Sequence, residues 1–168
     1  MGARSIAMNE SAEREVTITR VFDAPRKIVF EAWSAPEHLM RWWGPHGFTV
    51  TLCEMDFRVG GAWRLRMRSP AGVEDRQRGE FREIVAPERI VFTYAFEDFR
   101  ERETSGRWSN ESGRPGHQTI VTVNFEDLGG KTRLTVHQAV FESVEVRDDH
   151  VRGWGEALDR FAAYMAKA

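Results

Sequence analysis

Few residues of this 168-residue chain combine a reactive type with surroundings that suit acid–base chemistry. A general base is usually a carboxylate or an imidazole held in a cavity, where burial tunes its pKa. The two candidates are His137 and Glu80. Strand alternation places His137 on the face opposite its neighbour Val136, which we assign to the core, so a surface position is favoured over a catalytic one. We therefore assign no catalytic residue and keep His137 and Glu80 as candidates only.

Glu80 has a partner in Arg82, which shares its face of a predicted strand. Simple hairpin pairing sets these two side chains opposite Tyr94 and Phe92. If that face is turned inward, the pair is buried and could hold the polar end of a ligand. If it is turned outward, the pair is a solvated salt bridge. Because a bulge would change the strand parity, the sequence leaves both orientations open.

The sequence carries no strong signature of a metal or a nucleophile. His38 and His46 are eight residues apart, but no HExxH or CxxC motif is present, so we expect no metal. Cys53 is the single cysteine and lies in an apolar stretch, where a small buried thiol is the usual outcome. The glycine pairs lie in hairpin turns without a phosphate-loop context, and we expect no cofactor.

Composition and charge exclude several other classes of protein. Hydrophobic residues make up 41% of the chain and charged residues 30%, values typical of a globular domain. The net charge of −2 gives no basic field, so we expect no nucleic-acid partner. No run of about 18 apolar residues occurs, and the first residues lack a signal-peptide pattern. We therefore predict a cytoplasmic protein without membrane insertion.

The elements that must position any site follow from hydrophobic spacing. A strand is predicted over 15–22, followed by two short helices that begin near Pro25 and Pro36. From residue 48 onward the pattern alternates. One strand face is predicted to carry Phe48, Val50 and Leu52, and the next strand alternates apolar residues with arginines. Further strands are predicted over 79–84, 90–96, 119–125 and 132–140.

The last hairpin turns at Gly129-Gly130, and we predict that Val121 and Val123 meet Val136 and Leu134 across it. A terminal helix follows from about residue 146. Its apolar residues recur at three- and four-residue spacing and form one stripe: Val151, Trp154, Leu158, Phe161 and Met165. No second long helix is available, so this stripe must pack against the sheet.

The chain is predicted to form one domain over 14–168, preceded by a flexible tail over 1–13. The charged, glycine-rich stretch 97–116 is too long for an ordinary hairpin connection. It is predicted to be either disordered or a functional flap, with Trp108 as its only residue that favours docking.

Five segments resemble the signatures of a known family: 20–25 (RVFDAP), 41–45 (RWWGP), 58–61 (RVGG), 87–93 (PERIVFT) and 153–158 (GWGEAL). Together with the order of the elements, they resemble the START/Bet v 1-like (SRPBCC) superfamily, and within it the activator of Hsp90 ATPase homologue 1-like family. The resemblance spans about 15–166. It implies an α+β helix-grip fold, in which a curved antiparallel sheet of six or seven strands surrounds a long C-terminal helix and two short helices follow the first strand.

The resemblance also implies a ligand cavity, more firmly than it implies chaperone work. Eukaryotic activators carry an additional N-terminal domain, for which this chain has no room, so we do not expect a chaperone partner. We predict that an internal apolar cavity of ligand size binds or sequesters a small hydrophobic molecule, such as a lipid or a polyketide. The predicted lining residues are Trp33, Met40, Trp43, Phe48, Trp63, Leu65, Met67, Phe92, Tyr94, Val136, Trp154 and Leu158.

Other interpretations stay open at this point. The aromatic side chains could simply fill the core, as they do in ordinary interiors. The same cavity could host a cyclase- or hydrolase-like enzyme that uses His137 or Glu80 as its base. The protein could instead serve a chaperone or stress-response system through its exposed face. A sheet face with alternating arginines could also pair in a homodimer.

Overall fold

The structure, a computed structural model, describes residues 12–96 and 117–167. The predicted flap with Trp108, and all but two residues of the predicted tail, lie outside the described residues. The elements follow in the order β1 (Val16–Phe22), α1 (Arg26–Ser34), α2 (Pro36–Leu39), β2 (Thr49–Met55), β3 (Ala62–Arg68), β4 (Glu74–Val85), β5 (Arg89–Phe96), β6 (Thr119–Asp127), β7 (Thr132–Ala139) and α3 (Val144–Met165).

The seven strands form one curved antiparallel sheet in the order β1-β7-β6-β5-β4-β3-β2. β1 therefore lies at one edge, where Phe22 is opposite Thr132 of β7. Each further strand pairs with its predecessor along the chain, and β2 forms the other edge. Helix α3 packs on the inner face of the sheet, and the helix-grip fold predicted from the sequence is confirmed.

Helix α3 begins at a capped terminus, because the Ser143 hydroxyl accepts a hydrogen bond from the Val146 backbone N–H at 3.2 Å. Its buried stripe includes Trp154 and Phe161, and the Phe161 ring meets Phe22 of β1 edge to face at 4.9 Å. The prediction that Val151 belongs to this stripe is wrong, because Val151 is 38% exposed and faces away from the sheet.

The final hairpin shows how turn geometry determines register. Gly129 and Gly130 both have positive φ, 72° and 96°, and the turn sets Asp127 opposite Thr132. Val123 consequently pairs with Val136, and Phe125 pairs with Leu134. The predicted partners of Val121 and Val123 were two residues away from the observed ones, because the predicted pairing did not centre on the glycine pair.

Bulges change the inner face of two strands. In β2 the register shifts between Val50 and Leu52, and beyond the shift Cys53 and Met55 are turned inward. In β4 the register shifts between Phe81 and Glu83. The prediction that one face carries Leu52 together with Val50 is therefore overturned by a bulge.

The β4 bulge settles the orientation of Glu80 and Arg82. Phe81, rather than Arg82, is opposite Phe92, and the Phe81 side chain is buried. Glu80 and Arg82 consequently lie on the outer face. β4 also begins at Glu74, five residues before the predicted start. The prediction missed this part of the strand because two of its inward-facing side chains are polar: Asp75 and Gln77 are each 1% exposed.

The outer face of β3 carries Arg64, Arg66 and Arg68, as the alternation predicts. Acidic residues partly neutralise this face, since the Glu74 carboxylate lies 3.4 Å from Arg68 and 4.0 Å from Arg66. Within the described ranges, no helix has both the length and the apolar character needed to cross a membrane.

Candidate functional site

The inner faces of β2–β5 enclose a small cavity beneath the two short helices. About 30 Å³ is open there to the centre of a water-sized sphere. A single water needs about 10–15 Å³ on this measure, so the space holds at most two or three waters and not a ring compound. The ligand-sized cavity predicted from the aromatic residues is therefore not open in this conformation. Its wall consists of Trp33, Leu39, Trp43, Cys53, Met55, Trp63, Leu65, Phe81, Ile90 and Phe92.

Five of the twelve predicted lining residues are in this wall: Trp33, Trp43, Trp63, Leu65 and Phe92. Five other wall residues were not predicted from the sequence: Leu39, Cys53, Met55, Phe81 and Ile90. Cys53, Met55 and Phe81 are inward because of the two bulges, which simple alternation does not anticipate. Whether any wall residue contacts a ligand stays a prediction.

Three predicted lining residues lie near the loop after α2 instead. Met40 is 37% exposed. Met67 and Phe48 are buried against the backbone of Gly44, where an added Cβ would meet the Met67 sulfur at 3.0 Å and the Phe48 Cβ at 3.4 Å. Gly44 has φ of 96°, so both its conformation and its surroundings favour glycine.

The other four predicted residues belong to the packed core. Val136 and Leu158 are completely buried and outside the cavity wall. The Tyr94 ring packs edge to face against Phe96, with centroids 5.5 Å apart. Trp154 stacks on Trp33, with ring centroids 6.0 Å apart and an interplanar angle of 17°.

Trp33 stands at the border between the cavity and the packed core. Besides Trp154, its ring contacts Trp42 at 4.7 Å and Trp43 at 6.2 Å, and it meets Phe161 of α3 edge to face at 6.2 Å. Aromatic pairs at these separations contribute beyond their buried area. One side of the cavity is thus held by a cluster of indole rings.

The three indole N–H groups of the wall differ in their hydrogen bonding. Trp43 donates to the Gln77 side-chain oxygen at 3.2 Å, and Trp63 donates to the Thr93 backbone oxygen at 3.1 Å. Trp33 is 3% exposed, and its indole nitrogen has no hydrogen-bond partner in residues 12–96 and 117–167. An unpaired buried donor costs about 1–3 kcal/mol of stability.

Arg160 fixes the loop that carries Trp43. One guanidinium nitrogen of this α3 residue donates to the backbone oxygens of Trp43, Gly44 and Pro45 at 2.9, 3.0 and 3.0 Å. Burial lowers the pKa of Arg160 from its usual range, but the group stays charged because that range is so high. No periodic pattern in the sequence indicates this contact, because it depends on how α3 is placed against the loop in three dimensions.

Cys53 is the one titratable side chain among the described wall residues. Burial, together with the nearby carboxylates of Glu37 and Glu54, raises the pKa of its thiol to about 11. The thiol is therefore neutral at physiological pH. A neutral thiol is a poor nucleophile, which agrees with its interpretation as a packing residue.

The two catalytic candidates lie away from the cavity. The His137 imidazole contacts the Glu15 carboxylate at 2.9 Å, and its side chain is 40% exposed. Glu80 lies 3.8 Å from Arg82 on the outer face, in a groove of about 460 Å³ that also borders Arg64. In residues 12–96 and 117–167, no group of three or more histidine, cysteine or acidic side chains is placed to hold a metal.

Solved structures with the same fold come from several bacteria. A Chromobacterium violaceum protein is 27% identical, with a TM-score of 0.75, over 90% of this chain and 96% of its own. An Arthrobacter aurescens protein is 29% identical, with a TM-score of 0.77, over 94% and 88%. The AHSA1 protein of Silicibacter pomeroyi is 24% identical, with a TM-score of 0.76, over 90% and 97%, and shows the fold alone.

Comparison with curated proteins gave no match. The family described as "Activator of Hsp90 ATPase homolog 1-like protein" matches residues 23–166, which include every described element except β1. This family is part of the SRPBCC superfamily. The chain therefore belongs to the activator of Hsp90 ATPase homologue 1-like family.

Proposed function

We propose that this protein binds a small apolar, ring-bearing molecule in the cavity between the two short helices and β2–β5. The observation that carries the proposal is the wall itself, which joins three indoles, two phenyl rings and aliphatic side chains around one void. Such a surface binds flat rings through stacking and edge contacts. Membership of the SRPBCC superfamily is consistent with this proposal.

Binding requires the cavity to widen, and part of its wall is suited to that. Leu39 belongs to a helix of only four residues. Met55 is unbranched and half-buried, and methionine side chains adapt readily to irregular spaces. Cys53 is half-buried as well, so the β2 side of the wall reaches the surface. A ligand would therefore enter between α2 and β2 and displace these side chains.

The wall chemistry favours binding without turnover. Among the described wall residues there is no carboxylate and no imidazole, and Cys53 is a neutral thiol. His137 and Glu80 face away from the cavity, so neither is available there as a base. We propose sequestration or carriage of the ligand, by burial and shape, with no covalent step.

A fluorescence titration tests this function. Fatty acids, flavonoids and aromatic polyketides are added to the protein while tryptophan emission is recorded. Saturable quenching by at least one ring compound is expected, because three tryptophans line the cavity. Failure of every compound to change the emission would refute the proposal.

A matched pair of variants locates the binding. Leu65 and Leu134 are both buried strand leucines, 2% and 0% exposed, but only Leu65 lines the cavity. Leu65→Ala should enlarge the cavity and tighten binding of a ring compound several-fold, whereas Leu134→Ala should leave the affinity unchanged. An equal effect of both substitutions would place the ligand elsewhere.

A further inference from the structure

We infer that the ligand carries a neutral hydrogen-bond acceptor, such as a ketone, quinone or lactone oxygen, and that the Trp33 indole N–H donates to it. This inference rests on the proposed function, because it names the chemical class of the molecule that the cavity binds. The juxtaposition behind it is that Trp33 lines an apolar void and that its buried indole nitrogen has no hydrogen-bond partner among the described residues.

The other described indoles show that this fold normally pairs its tryptophan donors. Trp42 donates to the Ala32 backbone oxygen at 3.1 Å, and Trp154 donates to the Gln138 side-chain oxygen at 2.8 Å. Trp43 and Trp63 are paired as described above. Trp33 is as deeply buried as these residues, yet its indole nitrogen has no partner in the described part of the chain. The exception lies in the cavity wall.

Water alone is a poor partner for this donor. A buried water typically makes about three hydrogen bonds, and a site must supply two to four polar partners. Besides the Trp33 N–H, the paired indoles and the weakly polar Cys53 thiol, the wall side chains are apolar. A ligand oxygen fixed to an apolar ring would satisfy the donor without needing further polar partners.

The acceptor should be neutral. No arginine, lysine or histidine is among the described wall residues, and the Cys53 thiol is protonated. A carboxylate or phosphate buried there would lack a counter-charge, which is strongly unfavourable. A carbonyl oxygen accepts a hydrogen bond and carries no net charge, so it matches a wall that offers one unpaired N–H.

Matched ligands test the inference. Acetophenone and α-methylstyrene differ by C=O against C=CH₂ and have nearly the same shape. The pair 2-acetylnaphthalene and 2-isopropenylnaphthalene repeats the comparison with a larger ring. In ¹H–¹⁵N spectra of the wild-type protein, the ketones should move the assigned Trp33 indole N–H signal downfield, and the alkenes should not.

Affinity measurements with two variants provide the second arm. In Trp33→Phe the preference for ketone over alkene should fall by about twofold to tenfold, the range of one neutral hydrogen bond. Trp42→Phe removes a paired indole outside the wall and should leave that preference unchanged. If Trp33→Phe fails to fold, the wild-type N–H signal decides the question.

The outcomes separate the inference from the function beneath it. If both members of a pair bind, but the Trp33 signal responds to neither or to both alike, the cavity binds apolar rings and the hydrogen-bond inference is overturned. That result would fit an N–H resting on a neighbouring ring face. If no member of either pair binds, the proposed function and the inference fail together.

Discussion

The interior has two halves that are built from similar side chains but packed differently. On the side where α3 packs against β1 and β7, side chains such as Leu134, Val136 and Phe161 are completely sealed from solvent. Beneath α1 and α2, the inner face of β2–β5 leaves a void, and Cys53 and Met55 in its wall are only half-buried. The register shifts in β2 and β4 both lie in this cavity half. A bulge interrupts the regular alternation of inward and outward side chains, and we attribute the looser packing to that interruption.

Two buried glutamines show the same contrast. Gln138 accepts from Trp154 at 2.8 Å, and its amide nitrogen donates to the Thr119 hydroxyl at 2.8 Å. Gln77 accepts from Trp43 at 3.2 Å, but within the described part of the chain its amide nitrogen has only the sulfur of Met67 as a partner, at 3.8 Å. The packed half satisfies its polar groups more fully, as a rigid region requires, while the cavity half retains unmet hydrogen-bonding capacity.

The largest expected effect comes from removing the ring that joins the halves. Trp154→Ala should lower the free energy of unfolding by about 3–5 kcal/mol, because it deletes a buried indole that stacks on Trp33 and leaves Gln138 without its donor. Urea unfolding followed by circular dichroism measures this loss. A loss below about 1 kcal/mol would mean that this side chain is not central to the core.

Truncating one leucine in each half compares their packing directly. Leu134→Ala should cost about 4 kcal/mol, near the upper part of the range for buried leucines. Leu65→Ala should cost about 2–3 kcal/mol, because part of the Leu65 side chain already borders a void and so has fewer packing contacts to lose. The urea unfolding midpoints of the two variants give the comparison. A larger loss for Leu65→Ala would mean that the cavity half is the more closely packed of the two.

The glutamines should differ in a smaller way. Gln138→Leu should destabilise the protein by about 2–3 kcal/mol, since it leaves the Trp154 N–H without its acceptor and removes the hydrogen bond that the Thr119 hydroxyl accepts. That hydroxyl keeps its own bond to the Tyr94 backbone oxygen. Gln77→Leu should cost about 1 kcal/mol, because only the Trp43 N–H loses a well-formed hydrogen bond. Thermal unfolding of both variants tests this order, which equal losses would contradict.

The rate at which the Cys53 thiol is chemically modified has the least bearing on the stability of the fold. With a pKa near 11 against the ordinary 9.0, the thiolate fraction at pH 8 is about 100-fold lower than that of a free cysteine. Iodoacetamide should therefore react at least about 100-fold more slowly with the folded protein than with the urea-unfolded one. The rate should increase about tenfold per pH unit up to pH 11, and a plateau near pH 9 would show that the thiol is not desolvated.

Regular spacing made much of the fold predictable. Trp154, Leu158 and Phe161 recur at helical spacing, and glycine pairs mark hairpin turns, so the terminal helix and most strands follow from local pattern. The start of β4 did not, because Asp75 and Gln77 are polar at inner positions and so hide the alternation. Polar residues can occupy such positions only when tertiary partners compensate them, and a single sequence does not name those partners.

The site was predictable only in outline. The indoles of Trp33, Trp43 and Trp63 were expected in one wall because separate elements converge in this fold. Cys53 and Phe81 were not, since each lies inward through a bulge that depends on strand pairing rather than local spacing. The size of the void depends on how side chains pack in three dimensions, which residue spacing does not report. A ligand-sized cavity is therefore expected from the sequence, whereas the structure has a smaller one.

The central claim is that only the cavity half of the interior admits a ligand. A methyl-resolved NMR titration with 2-acetylnaphthalene tests this claim most directly. Methyl signals of Leu39, Leu65 and Ile90 should shift saturably, while those of Leu134, Val136 and Leu158 stay in place. Shifts spread equally over both groups, or none in the first, would contradict the claim.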